Sequence, residues 1–190
     1  MGKSSSGKDT IYKKLMEDGE LSLNTLVMYT TRPRREGERD GEAYHFVTAE
    51  QMNEMDRQGR IIERRTYPTM HGDWHYFTVD DGEVDLQKSD YLLIGTLESF
   101  VRIRDHFGAE RVIPLMLETD DGDRLQRALN RERKQKEPKY SEMCRRFLAD
   151  EEDFAPAKKK AAGIDKEFRN DDLRECFAQM KAFILQQQGR

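Results

Sequence analysis

Cysteine is scarce: Cys144 and Cys176 are the only two in 190 residues, and neither forms a CxxC pair or has metal-ligand spacing with a histidine. A disulfide framework is thereby excluded. Both side chains read as reduced thiols, with Cys176 on the buried face of a helix. Long apolar runs are also missing. No stretch approaches the roughly 20 residues that span a bilayer, and the N-terminus is polar instead of charged and then apolar. Neither a membrane segment nor a signal peptide is expected, and the simplest address is cytoplasmic. An excess of basic charge is absent too. A net charge of -4 argues against non-specific nucleic-acid binding, although clustered arginines can still build local anion sites. His71, Asp73 and His75 lie close in sequence but have no fourth ligand, so no zinc site is expected.

What is present is an alternation of strand-like and helix-like hydrophobic patterns, the mark of an α/β chain, without repeats or low-complexity linkers. The length suits one compact core with a mobile subdomain or two. Helix is predicted from about Asp9 to Asp18, with Ile11, Leu15 and Met16 inward and Gly19 stopping it. A strand follows around Leu26 to Thr31, then a charged loop from Arg32 to Asp40 and a short strand at Tyr44 to Val47. Thr48 and Gln51 form a capping-box pattern for a helix ending near Gly59. Ile61 to Arg65 and Trp74 to Asp80 read as two strands joined by a loop containing Pro, Gly and Asp. Asp90 to Thr96 and Val112 to Leu117 read as buried strands of a main sheet. Helices are expected at Glu98 to Phe107, at Asp120 to Arg133, from near Ser141 after Pro138, and at Asp171 to Gln188. The last carries Leu173, Cys176, Phe177, Met180, Phe183 and Ile184 on one face.

The segment Gly2-Lys3-Ser4-Ser5-Ser6-Gly7-Lys8-Asp9-Thr10 fits G-x-x-x-x-G-K, with Asp-Thr in place of a hydroxyl residue directly after the lysine. The glycines let successive N–H groups turn toward one anion, the following helix adds its positive end, and Lys8 adds a full charge. Ser5, Ser6, Gly7, Lys8, Asp9 and Thr10 are therefore candidates for binding a polyphosphate, which the resemblance described next implies to be that of ATP. Asp9 and Thr10 are candidates for meeting Mg2+. Such a loop normally leaves a buried parallel strand, yet only Met1 precedes Gly2. The first strand is thus expected to be missing from this chain, and the natural product to start upstream.

A second constellation runs Thr30-Thr31-Arg32-Pro33-Arg34-Arg35-Glu36-Gly37-Glu38-Arg39-Asp40-Gly41-Glu42-Ala43-Tyr44-His45-Phe46. It resembles the guanylate kinase pattern T-T-R-x-x-R-x-G-E-x-x-G-x-x-Y-x-F, and it follows the phosphate loop in the family's order. The resemblance implies a P-loop NTPase α/β fold, a parallel sheet flanked by helices with a small antiparallel insert for the nucleoside monophosphate and a helical lid. In that reading residues 1–190 form a single domain. Residues 1–31 and 90–123 are core, 32–85 the insert, 124–146 the lid region and 147–190 the C-terminal core. The implied function is transfer of the ATP γ-phosphate to GMP, with Mg2+ as cofactor and small nucleotides as partners. Arg32, Arg35, Tyr44 and Tyr76 would hold the acceptor phosphate, and Glu63, Thr78 and Thr96 would face its base. Lys8, Arg131 and Arg146, with Arg133 as an alternative, would serve the transferred phosphoryl group. Arg124 and Arg127 suit a solvated helix face at least as well. Asn170 resembles a residue beside the donor adenine, and suits a helix cap equally.

The sequence departs from the family pattern at Phe77, where glycine is expected, and at Met28, where a small hydroxyl residue is expected. It also reads Leu93-Ile94-Gly95 where the family carries Asp-x-Asp. These losses bear on base specificity more than on phosphate chemistry, which admits another NMP or dNMP as acceptor. A non-catalytic module that binds phosphorylated peptides is the alternative function.

Overall fold

A computed structural model describes residues 1–42, 44–69 and 72–189. In chain order its elements are α1 (Lys8–Met16), β1 (Leu23–Thr25), β2 (Met28–Thr30), β3 (Tyr44–Phe46), α2 (Ala49–Arg57), β4 (Ile61–Thr69), β5 (Gly72–Val79), β6 (Asp90–Leu92), α3 (Leu97–Phe107), β7 (Met116–Glu118), α4 (Asp121–Arg133), α5 (Tyr140–Asp153), α6 (Pro156–Ala161), β8 (Glu167–Arg169) and α7 (Leu173–Gln188). They divide into two compact units. The first comprises Met1–Ser22, Ile94–Phe100 and the chain from Ile113 onward; the second comprises Leu23–Leu93 and Val101–Val112.

In the first unit, Ile11 and Leu15 of α1 are buried one turn apart, as the periodicity requires. On α7 the spacing of four brings Cys176, Met180 and Ile184 onto one buried stripe. Withdrawing each such side chain from water contributes about 1.5–3 kcal/mol. Burial also pushes the Cys176 thiol up to about 11, while Cys144 is exposed and both are free thiols. Asp172 caps α7 by accepting from the N–H groups of Arg174 and Glu175. Asn170 is therefore not the cap, and the alternative of a helix-capping asparagine is overturned.

Strands β7 and β8 pair in parallel, Met116 opposite Glu167 and Glu118 opposite Arg169. Met1 joins the same strand through its terminal nitrogen, which donates to the Leu115 carbonyl at 2.7 Å, and its carbonyl, which accepts from Leu117 at 2.9 Å. The strand expected at Val112 begins only at Met116, because Pro114 lacks the N–H that a ladder needs. Both α6 and β8 were invisible in the pattern, being too short for a period to register.

In the second unit β1 and β6 form another parallel pair of three residues each. The strand expected over Asp90 to Thr96 stops at Leu92 because a ladder is no longer than its shorter partner, and β1 ends at Thr25. Among the described residues parallel pairing is thus reduced to three short pairs, β7–β8, β1–β6 and β2–β3. The other sheet of this unit is mixed and larger than expected, with β2 and β3 parallel and the β2–β5 and β5–β4 pairs antiparallel. Its four strands run in the order β3-β2-β5-β4, and the β4–β5 hairpin extends through Thr69 and Gly72. Most of the expected loop is therefore strand. Pro68 is tolerated there because β4 is an edge strand, whose outward N–H has no ladder partner to lose. Tyr29, Met52, Phe77 and Val79 form the core of this unit, with Val47, Met55 and Ile61 packed on them. The capping box is present at the start of α2: Thr48 accepts from the Gln51 N–H, and Gln51 accepts from the Thr48 N–H.

His71 lies outside the described residues, and the His71, Asp73, His75 grouping with it. Among the described residues no group of three or more His, Cys, Asp or Glu side chains could hold a metal ion. No described helix is long and apolar enough to cross a membrane.

Candidate active site

The loop of residues 2–7 enters α1 through Gly7, whose φ of 91° is a left-handed conformation, and Ser5 also turns left-handed at φ 62°. Beneath this turn the Ser6 carbonyl accepts two hydrogen bonds, from Thr119 Oγ1 at 3.0 Å and from Asn170 Nδ2 at 2.7 Å. Asn170 is 3% exposed, and its backbone N–H continues the β8 pairing by donating to Glu118 O at 2.7 Å. Its amide thus supports the loop from below. Lys8 stands at the first position of α1, its ammonium making no hydrogen bond or ion pair with any described residue. Asp9 and Thr10 follow on the exposed side of the first turn.

Arginines converge on the loop from two helices. Arg131 of α4 donates to Ser5 Oγ at 3.3 Å, and Arg146 of α5 donates to Ser4 Oγ at 3.4 Å. A cavity of about 160 Å3 lies here, lined by Ser4, Ser5, Arg124, Arg131 and Arg146 among others. Arg133 is exposed at the end of α4 by contrast with Glu132, which is buried and accepts from the Lys139 N–H across the α4–α5 turn. Arg127 donates to the Asn170 carbonyl at 3.2 Å. Arg124 is not a solvated residue at all: its side chain is 1% exposed. Its burial escaped the sequence reading because its partners are Ser4, Asp150 and Glu151, far away in the chain. The acidic run Asp150-Glu151-Glu152-Asp153 after the α5 arginines was the available signal.

In the second unit Arg32 is 4% exposed and paired bidentately with Glu38, Nη1 to Oε2 at 2.8 Å and Nη2 to Oε1 at 2.5 Å. Its guanidinium also lies 5.4 Å from the Tyr44 ring centroid and 5.2 Å from that of Phe46. This fixes the fork that carboxylate and phosphate recognition requires. Arg35 is exposed, with its backbone N–H donating to Glu38 Oε2 at 2.7 Å. Burial pushes the Tyr44 phenol above its ordinary value, and its ring meets that of Tyr76 edge-on at 5.5 Å.

Hydrogen bonds from Arg32, and then from the Arg35 backbone, hold the Glu38 carboxyl down at about 2. A depressed carboxyl contributes stability that is fully present above the ordinary value of 4.5 and is lost as the pH falls toward 2. The Glu38 carboxyl carbon resonance should therefore titrate with a midpoint near 2, and the Arg32 pair should survive at pH 4. A midpoint near the ordinary value would show that the pair is open in solution.

The register of β4 and β5 places Glu63 opposite Thr78 and Arg65 opposite Tyr76. Glu63 is 6% exposed and accepts from Thr78 Oγ1 at 2.9 Å and from Arg65 Nε at 3.3 Å. A carboxylate has about four acceptor positions, so two remain for a ligand. Arg65 also donates to the Met28 sulfur at 3.4 Å. The remaining base-side candidate is Thr96. It belongs to the first unit, where its hydroxyl accepts from the Ser99 N–H at 3.2 Å while Ser99 Oγ accepts from the Thr96 N–H at 3.0 Å. That reciprocal pair caps α3, so the Thr96 hydroxyl is already engaged.

The guanylate kinase family model matches residues 1–78, which hold both the glycine-flanked loop of residues 2–7 and the arginine motif. The guanylate kinase of Brucella melitensis is 31% identical over 90 residues, 47% of this chain and 40% of that protein. That of Schizosaccharomyces pombe is 40% identical over 62 residues, 33% of this chain and 31% of that protein. Over its N-terminal part the chain is similar to guanylate kinases. Its fold agrees over its full length: the crystal structure of guanylate kinase from Anaplasma phagocytophilum covers 100% of this chain and 85% of its own, with a TM-score of 0.62 and 20% identity. In sequence, the chain spans two-fifths or less of the length of these two curated relatives. The family likeness in sequence is thus concentrated in the N-terminal part, and Arg131 and Arg146 lie beyond the residues that the family model matches.

Proposed function

We propose that this chain transfers the terminal phosphoryl group of ATP to a nucleoside monophosphate, GMP being the acceptor its residues suit best. The observation that carries the reading is the convergence of Arg131 and Arg146, from separate helices, on the serines of a loop followed by a lysine whose ammonium makes no hydrogen bond or ion pair with any described residue. Phosphoryl transfer needs little covalent help from a protein. It needs cations and N–H groups fixed where charge spreads over the transferred oxygens.

In this reading the loop N–H groups and Lys8 hold the donor phosphates, and Arg131 and Arg146 neutralise charge as the bond to the leaving oxygen lengthens. Asn170 and Thr119 keep the turn in shape from below by fixing the Ser6 carbonyl. Asp9 and Thr10 offer hard oxygen donors on the exposed first turn of α1, a set that suits Mg2+, which takes one or two protein oxygens beside substrate phosphates. When bound, the ion supplies further charge neutralisation on those phosphates. On the acceptor side Arg32, Arg35, Tyr44 and Tyr76 bind the monophosphate, with Arg32 oriented by Glu38. Glu63 has two acceptor positions to spare and receives the adjacent N1–H and amino donors of guanine, which adenine does not offer. Thr78 orients that carboxylate.

The test is ADP release with ATP and Mg2+ across a panel of NMPs and dNMPs. Glu63→Gln should raise the KM for GMP about tenfold or more, since hydrogen bonds to a charged group are worth about 1.5–3 kcal/mol, and should leave the KM for ATP unchanged. No turnover with any acceptor, together with micromolar binding of a phosphopeptide, would replace the kinase reading with that of a non-catalytic binding module.

A further inference from the structure

The geometry points to Arg124 as a positioning residue for the phosphate loop: a buried guanidinium that, together with Asp150, grips the Ser4 peptide on both sides and ties the loop to α5. Arg124 Nε donates to the Ser4 carbonyl at 3.1 Å, and Asp150 Oδ2 accepts from the Ser4 N–H at 2.7 Å. The two grips are joined to each other, because Arg124 Nη2 also donates to Asp150 Oδ2 at 3.4 Å. Arg124 Nη1 donates to Glu151 Oε1 at 3.1 Å and to Asp121, and the guanidinium carbon lies 4.7 Å from the Phe147 ring centroid. Glu151 in turn holds Lys3 Nζ with both oxygens, at 2.7 and 2.8 Å. Consecutive loop residues Lys3 and Ser4 are thus held by consecutive α5 residues Glu151 and Asp150.

Stability alone is a poor reason for such a group. Arginine cannot shed its proton, and a buried charge network is often no more stabilising than apolar side chains of the same volume. What an apolar residue could not do is orient a carbonyl. Helical spacing gives that orientation a purpose. Arg131 lies two turns beyond Arg124 on the same face of α4, and Arg146 lies one turn before Asp150 on the same face of α5. The clamp therefore sets the loop in register with the two helices whose arginines reach its serines. Its effect on transfer rests on the kinase reading above; its effect on the loop does not.

The test compares wild type, Arg124→Met and Arg124→Lys by amide hydrogen exchange without nucleotide, by the affinity for Mg2+·ADP, and by separate KM values for ATP and GMP. Arg124→Met should speed exchange at residues 3–6 at least about tenfold, while α7 keeps its protection, and should weaken Mg2+·ADP binding about tenfold or more, as the loss of a charge-assisted hydrogen bond implies. The KM for ATP should rise with that for GMP unchanged. Arg124→Lys, which keeps the charge and one donor, should recover part of both. Unchanged exchange at residues 3–6, or a rise spread evenly over β7 and α7, overturns the proposal. Equal rises in both KM values overturn it as well. Where Arg124→Met does not fold, Asp150→Ala removes the other grip, and wild-type exchange in that variant counts against the clamp. A wild type that shows the exchange difference yet phosphorylates no acceptor refutes the kinase reading and leaves the clamp standing.

Discussion

Gly7→Ala should destabilise the first unit by about 3 kcal/mol, because two costs of roughly 1–3 kcal/mol each fall on the same atom. An added Cβ would lie 2.3 Å from Asn170 Nδ2, and a φ of 91° is a conformation that L side chains rarely adopt. The neighbour cannot easily yield. Asn170 is buried, its N–H is fixed to Glu118 O, and its amide is fixed to Ser6 O. Swinging the amide aside breaks its bond to the loop carbonyl and leaves Thr119 as that carbonyl's sole remaining support. At about 2–4 °C per kcal/mol for a chain of this size, the melting midpoint should fall by about 6–12 °C. Affinity for Mg2+·ADP should fall with it. Asn170→Ala in the same chain should relieve part of the clash, so the double variant should lose less than the two single losses added together. A Gly7→Ala protein that melts with the wild type would show that the loop does not rest on Asn170.

Local signals in the sequence carried much of the fold. The Thr48 and Gln51 capping box and the Cys176, Met180, Ile184 stripe depend on neighbours three or four residues away, and both are present as read. The loop glycine and the Thr30 to Phe46 pattern are likewise contiguous. What the local pattern left out depended on distant partners. Asn170 supports a carbonyl 164 positions earlier, and Arg124 holds one 120 positions earlier. No periodicity in α4 distinguishes a buried arginine with three acidic partners from one facing water. Strand lengths failed for a related reason. β6 ends where β1 does, and β4 extends through Pro68 because it lies on an edge, which are properties of the ladder and not of the strand's own residues.

Lys8→Ala should remove phosphoryl transfer to every acceptor while leaving the melting midpoint near that of the wild type. Gly7 and Lys8 are adjacent, yet their roles separate. Gly7 is required by packing, whereas the Lys8 ammonium makes no hydrogen bond or ion pair with any described residue, so its loss breaks no such contact. Substitutions of that kind change stability by about 0.5 kcal/mol or less. The cost falls on the transition state instead. Removing one fixed donor aimed at developing charge lowers kcat by about 10²–10³-fold, and a full positive charge at a helix N-terminus should stand at the upper end of that range. Circular dichroism melting alongside ADP release measures both halves of the expectation. The acceptor panel adds a third control, because a lysine serving the donor phosphates must be missed equally by GMP, dGMP and every other monophosphate. A selective loss with one acceptor would move Lys8 to the acceptor side, and substantial residual transfer would assign the main charge to Arg131 and Arg146.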